Sequence, residues 1–260
     1  MKKLRIATFN VNSVRSRMPV LERWLPASGV DLLCLQETKV VDAEFPAAAF
    51  EAMGYTPLCC GEKSYNGVAI VARVPVDEVR FGFGDGEDPD FSTRVAFVRA
   101  AGVSILNTYV PQGKEIAHPD YALKKRFLDR VRAFMSREAK DGDHFAWVGD
   151  MNVAPTDIDV THPEGKRDHV CCHSEIREKF EQVSRGLADM LRRFHPEEGT
   201  FTFFDYRVKN ALDRNIGWRI DHILATPALE KRVVDCFVDK EPRSWEKPSD
   251  HAPVIADLEI

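Results

Sequence analysis

Short runs rich in Val, Ile, Leu and Phe recur along this chain, and most are apolar on both of their alternating sets of positions. They are LRIATFN, DLLCLQE, GVAIVAR, RVAFVRA, VSILNTYV, HFAWVGD, RIDHILA and PVIADLEI. Side chains on a strand alternate between faces, so a run apolar on both sets is a strand covered on both sides. Between several of them lie helix-spaced patterns: Val20, Leu21, Trp24 and Leu25, ending near Gly29; Leu123, Phe127, Val131 and Phe134; and Phe180, Val183, Leu187, Met190 and Leu191. A layered α/β domain follows, its strands covered by helices or by a second sheet; sheet on sheet with outer helices serves.

No linker, internal repeat or low-complexity tract divides the chain, so residues 1–260 are expected to form one domain with a sizeable core. With 44% hydrophobic and 30% charged residues, the composition is that of a globular protein rather than a disordered one. The longest apolar runs are strand-sized, which argues against a membrane span. MKKLRIATFNVN reaches Asn10 and Asn12 before a signal-length apolar stretch can form, and a cytoplasmic location is expected. Cys34, Cys59, Cys60, Cys171, Cys172 and Cys236 include two vicinal pairs, spaced for neither a disulfide framework nor a C-x-x-C zinc site; reduced thiols are expected.

The net charge of −5 excludes a globally basic surface, so a polyanion would have to be met by local patches. Residues 123–137 carry six Lys or Arg against one Asp, and residues 205–219 carry four against two Asp. Each is either a solvated face or a phosphate contact. GFGDGEDPD (82–90) reads as a polar surface loop; its glycines precede no helix pattern, which argues against a phosphate cradle.

Polar residues fall repeatedly where the apolar runs stop. Asn10 and Asn12 follow IATF, Gln36 and Glu37 follow LLCL, Asn107 and Tyr109 close ILNTY, and Asp150 and Asn152 follow WVG. Asp221 lies inside the apolar run RIDHI, and Asp250 and His251 stand at a strand entrance. One such residue is ordinarily a turn or cap. A carboxylate within a buried strand needs a partner, and His251 is a candidate for Asp221. Acids, amides, a phenol and an imidazole gathered at strand ends are what a hydrolytic site at the mouth of a sheet sandwich requires.

The residue types suit phosphodiester cleavage better than acyl transfer, since no G-x-S-x-G spelling occurs. Glu37, Asp250 and Asn10 are oxygen ligands of the kind a hard cation such as Mg²⁺ takes, and such an ion screens phosphate charge and stabilises a leaving alkoxide. Asp150, with Asn152 beside it, is a reasonable base for water. A carboxylate on a histidine favours imidazolium, which can hydrogen-bond a phosphate oxygen.

In FNVNSVRSR, LQETKV, YNGVAI, NTYVPQG, GDMNVAPTDIDV, FTFFDYR, GWRIDHIL and EKPSDHAPV, the chain resembles the exonuclease III family of DNA-repair nucleases and AP endonucleases, within the endonuclease/exonuclease/phosphatase superfamily. The resemblance covers essentially the whole chain. It implies a DNase I-like fold, a four-layer α/β/β/α sandwich of two mixed sheets packed face to face and flanked by helices. It implies that Glu37, helped by Asn10 and Asp250, holds Mg²⁺, with Mn²⁺ able to substitute, and that Asp150 activates or positions the attacking water beside Asn152. Tyr109 and His251 would bind the scissile phosphate, with His251 oriented by Asp221 and Asn12 lining the same site. Phe203, Trp218 and Ile220 match walls of a pocket for an extruded abasic sugar; Arg207 and Arg219 flank it, placed to meet phosphates.

The implied activity is Mg²⁺-dependent hydrolysis of duplex DNA by a monomer. It comprises cutting 5′ of abasic sites, trimming 3′-to-5′, and clearing 3′-phosphates and sugar fragments. Two departures stand out: Phe203 where bacterial relatives often carry Trp, and VCCHSEIR where the family usually reads Phe-Leu-Pro ahead of the Glu and Arg. Catabolite-repression control proteins look like this family yet act as RNA-associated regulators without the catalytic acids. Here Glu37, Asp150, Asn152, Asp221, Asp250 and His251 are all present. Lipid phosphodiesterases of the superfamily lack the NTYVPQG and GWRID contexts, and no membrane-binding amphipathic helix is evident.

Overall fold

The computed structural model describes residues 3–140 and 142–260. The elements run β1 (Lys3–Asn10), α1 (Val14–Ser28), β2 (Leu32–Gln36), α2 (Ala47–Ala52), β3 (Thr56–Cys60), β4 (Val68–Ala72), β5 (Val76–Phe81), β6 (Val95–Ala100) and β7 (Val103–Tyr109). There follow α3 (Pro119–Glu138), β8 (Phe145–Asp150), α4 (Ser174–Ser184), β9 (Ala188–Asp189), α5 (Met190–Phe194), β10 (Asp221–Ala225), α6 (Pro227–Glu230), β11 (Val233–Val238) and β12 (Val254–Glu259). Two six-stranded sheets result, in the orders β11-β12-β1-β2-β4-β3 and β5-β6-β7-β8-β10-β9. In each the central pair is parallel, β1 with β2 across α1 and β7 with β8 across α3, and the other pairs are antiparallel.

Strand alternation sorts the side chains into layers. Leu4 and Ile6 of β1 share a buried cluster with Ala146 and Val148 of β8, so these sets face each other between the sheets. The other set of β1, Ala7 and Phe9, joins Leu33 and Leu35 under Leu21, Trp24 and Leu25 of α1. Phe145 and Trp147 likewise pack beneath Phe127, Val131 and Phe134 of α3 and Phe180 of α4. The result is the expected four-layer α/β/β/α sandwich. Each fully buried Leu, Ile or Phe contributes roughly 1.5–3 kcal/mol relative to an exposed one.

Followed along the strands, the inward set turns polar at one end: Leu4, Ile6, Thr8, Asn10; Leu32, Cys34, Gln36; Val103, Ile105, Asn107, Tyr109; Ala146, Val148, Asp150. Gln36 Nε2 donates to Thr8 Oγ1 at 2.9 Å and, across the gap between sheets, to Asn107 Oδ1 at 2.7 Å. Both parallel pairs stop at this end, and their antiparallel neighbours start there, Asp221 opposite Asp150 and Val254 opposite Thr8.

Three expectations change. The pattern Phe180 to Leu191 is not one helix: α4 ends at Ser184, Gly186 turns the chain at φ 91°, and Asp189 both pairs with Leu224 in β10 and caps α5 through Arg192 N. Asp221 opens its strand rather than interrupting it. Finally, β3, β5, β9 and β11, which no apolar run announces, are the four sheet edges. All six cysteines are free thiols. Among the described residues no helix is long and apolar enough to cross a membrane.

Gly149, the residue before Asp150, has φ 130°, and a Cβ there would sit 2.0 Å from the carbonyl oxygen of Thr108, its register partner in β7. Gly149→Ala is therefore expected to lower unfolding free energy by about 2–4 kcal/mol. The shift of the urea midpoint checks this.

Candidate active site

The carboxylates of the cleft come from both sheets, and one amide joins Glu37 on one side to Asp150 on the other. Asn10 Nδ2 donates to Glu37 Oε1 at 2.8 Å and to Asp150 Oδ2 at 2.9 Å, and its Oδ1 accepts from Asn12 N at 3.0 Å. This orientation satisfies every partner. Asn10 thus clamps two acids with its nitrogen, and its oxygen meets the Asn12 N–H. Glu37 sits just beyond β2 with φ 53°, a left-handed turn that brings its carboxylate back over the strand end.

Burial pushes Asp150 up to about 7, reinforced by the Asp221 carboxylate, with His251 and Asn10 pulling it back. Burial also opposes ionisation of Glu37, but Lys39 and Asn10 outweigh it and hold that carboxyl below its ordinary range. His251 Nδ1 bonds Asp221 Oδ2 at 2.9 Å, and Thr202 Oγ1 donates to the same oxygen at 2.6 Å. Burial disfavours a charged ring here; the Asp221 carboxylate more than offsets it and raises His251 to about 10. Nε2 of this imidazolium is left facing the cleft, 3.9 Å from Asp150 Oδ2. Burial, with Glu37 and Asp150 nearby, keeps Tyr109 a neutral phenol, and the Arg94 guanidinium lies 4.5 Å from its ring centre.

Asn152 follows β8 in a left-handed turn, φ 50°. Its N–H donates to Asp150 Oδ1 at 2.9 Å and its Nδ2 to Val110 O at 3.0 Å, which among the described residues leaves Oδ1 with only the Cys171 thiol at 4.0 Å. That oxygen is the acceptor available to a bound water.

The donors fit a hard cation. The Lys39 ammonium lies 2.6 Å from Glu37 Oε2 and 2.5 Å from Asn12 Oδ1, and Asn12 Nδ2 reaches Asp250 Oδ1 at 3.0 Å. A positive charge already sits among these oxygens, all of the hard type that Mg²⁺ prefers. Asp150, Asp221 and His251 also bring one ligand atom each within 4.8 Å of one another. Asp221 Oδ2 and His251 Nδ1 are spent on each other, while Asp221 Oδ1 is buried with no hydrogen-bond partner among the described residues; Glu37, Asp150 and Asp250 are the carboxylates of this acidic site that line the cavity.

A cavity of about 590 Å³ opens over these groups; Asn12, Glu37, Tyr109, Asp150, Asn152, Phe203, Arg207, Trp218, Ile220, Asp250 and His251 all line it. Asn10 and Asp221 lie behind this lining and act through the residues they hold. Lys39, Lys166 and His169 line it too and were missed. His169 packs 4.5 Å from the Trp218 ring, burial drops it to about 4, and Lys166 Nζ lies 5.4 Å over the same ring. Both come from an irregular polar segment with no periodicity to flag it. The basic run 123–137 is spent elsewhere: Lys124 and Arg130 are buried, Arg130 pairs with Asp85, Lys125 with Glu175 and Arg126 with Glu87.

Two face-to-face mixed sheets with an oxygen-lined cleft at the polar end of their inner faces define a hydrolytic site of the DNase I-like kind. A sequence model of the endonuclease/exonuclease/phosphatase family matches residues 7–251. The chain is 32% identical to exodeoxyribonuclease III of Haemophilus influenzae, over 98% of this chain and 100% of that one. Among solved structures, an AP endonuclease from Archaeoglobus fulgidus aligns with a TM-score of 0.95 and 43% identity, covering 99% of this chain and 100% of that one. The 3′ phosphatase NExo from Neisseria, bound to product DNA hairpin, aligns at 0.93 and 37%, covering 99% and 100%. The chain belongs to the endonuclease/exonuclease/phosphatase family.

Arg219 is the one expected phosphate contact that lies away from the cleft. It is 1% exposed; its Nε donates to Asp159 Oδ1 and its Nη1 to Asp189 Oδ2, both at 2.6 Å, and Arg192 also grips Asp159. Burial opposes ionisation of Asp159, but Arg219 and Arg192 win and hold the carboxyl far below its usual range. Removing one partner of such a buried pair costs about 3–5 kcal/mol, the loss expected for Asp159→Asn at pH 7. A depressed folded pKa gives stability that is present above the unfolded value of about 3.9 and lost below it. The gap between wild type and variant in urea denaturation should therefore narrow as pH falls from 7 to about 3.

Proposed function

We propose that this chain is a Mg²⁺-dependent hydrolase of the exodeoxyribonuclease III type, acting on duplex DNA. In this reading residues 1–260 form one catalytic domain, working as a cytoplasmic monomer. It incises on the 5′ side of abasic sites, removes nucleotides 3′-to-5′ and clears 3′-phosphates and sugar fragments. All three reactions break a bond to a phosphate whose 3′ neighbour is small or unstacked, and all leave a 3′-hydroxyl. The observation that carries the reading is the meeting of Asp150, Asn152, Glu37 and the His251–Asp221 pair around one cavity.

Asp150, buried and raised toward neutrality, accepts the proton of a water held by Asn152 Oδ1. His251, kept cationic by Asp221, donates Nε2–H to a phosphate oxygen as charge builds there, and the neutral Tyr109 hydroxyl donates to another. Glu37 and Asp250 would hold the metal, with Asn10 and Asn12 fixing them; when bound it supplies neutralisation of phosphate and leaving-group charge. Phe203, Trp218 and Ile220 offer an apolar wall for a sugar without its base, and Lys39, Lys166 and Arg207 put positive charge at the rim of a chain that is acidic overall. The Haemophilus and Archaeoglobus relatives support this reading over an inactive RNA-associated regulator, as does the complete set of acids.

A single end-labelled duplex carrying a synthetic abasic site, resolved by product length, separates incision from trimming. Asp150→Asn should abolish both while duplex binding stays within about threefold, because the substitution removes the base and leaves the rim untouched. EDTA should stop the wild type and Mg²⁺ or Mn²⁺ restore it; turnover in chelator removes the metal from the reading.

A further inference from the structure

Lys124 sits on α3, in the outer layer, yet its side chain runs inward and is fully buried. Its Nζ donates to Asn152 O at 2.7 Å, Val170 O at 2.8 Å and Gln112 O at 3.1 Å. An ammonium has three protons, and here all three are spent. The partners are carbonyl dipoles from three separate segments: the loop after β7, the loop after β8 and the turn before α4. Gln112 and Asn152 line the catalytic cavity, and Val170 precedes Cys171, which lines it too. A buried ammonium is costly to desolvate and holds its place only where such acceptors surround it.

We propose that Lys124 is the positioning residue for Asn152, pinning its backbone carbonyl from behind so that its Oδ1, otherwise met by the Cys171 thiol alone among the described residues, points at the attacking water. The proposal rests on the nuclease reading above. Asn152 lies in the left-handed region, which asparagine enters more readily than other non-glycine residues, and its neighbours fix the turn in one orientation. Three bonds do so: its N–H to Asp150, its Nδ2 to Val110 and its carbonyl to Lys124. The first two come from the catalytic strand and its neighbour, and only the third ties the turn to the helical layer. With Lys124 removed, the carbonyl of Asn152 loses its buried partner and the turn is free to rotate, carrying Oδ1 off the water.

The test is a double-mutant cycle of Lys124→Met and Asn152→Ala, read as kcat and KM on the abasic duplex. Displacement of a positioning contact by an ångström is expected to lower kcat by roughly 10- to 100-fold, with KM and duplex affinity within about threefold. In the Asn152→Ala background the same substitution should cost less than about threefold, since the residue it acts through is already gone. Lys124→Ala should regain kcat with ethylammonium, but not with sodium at equal ionic strength. Losses that multiply in the double variant, or kcat and duplex affinity falling together, overturn the proposal. If Lys124→Met does not fold, Lys124→Gln, which keeps an amide donor, enters the same cycle. A wild type inert on every duplex sinks the nuclease reading itself; an active wild type with multiplying losses sinks only the role of Lys124.

Discussion

The Nδ2 of Asn10 donates to Glu37 at the top of one sheet and to Asp150 at the top of the other, so a single amide spans the gap between the sheets. Two buried carboxylates facing each other across such a gap would repel. The shared donor sets their spacing, Lys39 offsets the charge of Glu37, and the His251 imidazolium offsets that of Asp150 and Asp221. The cleft is therefore a balance of fixed charges, and its geometry is inherited from the packing of the sheets beneath it. Gln36, the register partner of Asn10, makes a second cross-sheet contact with Asn107 through neutral amides.

Beneath that polar end the sandwich is uniformly apolar. Ile6, Cys34, Ile105 and Val148 exclude water from the inner faces, and the rigidity of that packing lets strand ends hold side chains in place. The loop after β8 pairs with residues 217–220 at its two ends, through Met151 N to Ile220 O and the Val160–Trp218 bridge, and between them it is secured through its own carbonyls. Lys124 takes that of Asn152, His222 Nε2 meets that of Val153 at 2.9 Å, and Arg177 takes those of Ala154 and Thr156. Asp159 then fastens the far end of the loop to Arg219 and Arg192. Polar side chains that look catalytic or solvent-facing in the sequence are in part the fixings of this loop.

The eight strands legible in the sequence are the eight interior strands, and the four that were not are the edges. An interior strand here is covered on both faces and neighboured on both sides, so selection of apolar residues acts at every position. An edge strand such as β5, VDEVRF, is largely half-exposed and carries charges, as edges must if they are not to pair with other chains. Helical periodicity misled once for a related reason. Phe180, Val183, Leu187, Met190 and Leu191 are all at least partly buried, but on two helices and the turn after the first, and a shared environment imitates a shared helix. Arg219 and the run 123–137 misled because charge is visible in a sequence and its partner is not.

The sequence by itself determined the layer plan, through strand alternation apolar on both sets, and the inventory of the cleft, through polar residues placed where those runs end. Both are local properties, set by the period of the backbone and by where a strand stops. Only the tertiary structure decided which polar residues share a cavity and which atoms they turn toward it. Asn10 offers its nitrogen, Asn152 its oxygen, Lys39 and His169 join the lining, and Arg219 is withdrawn into a buried ion pair. These outcomes depend on pairing between stretches far apart in the chain, where the antiparallel register of β10 on β8 and β12 on β1 fixes neighbours that no local pattern encodes.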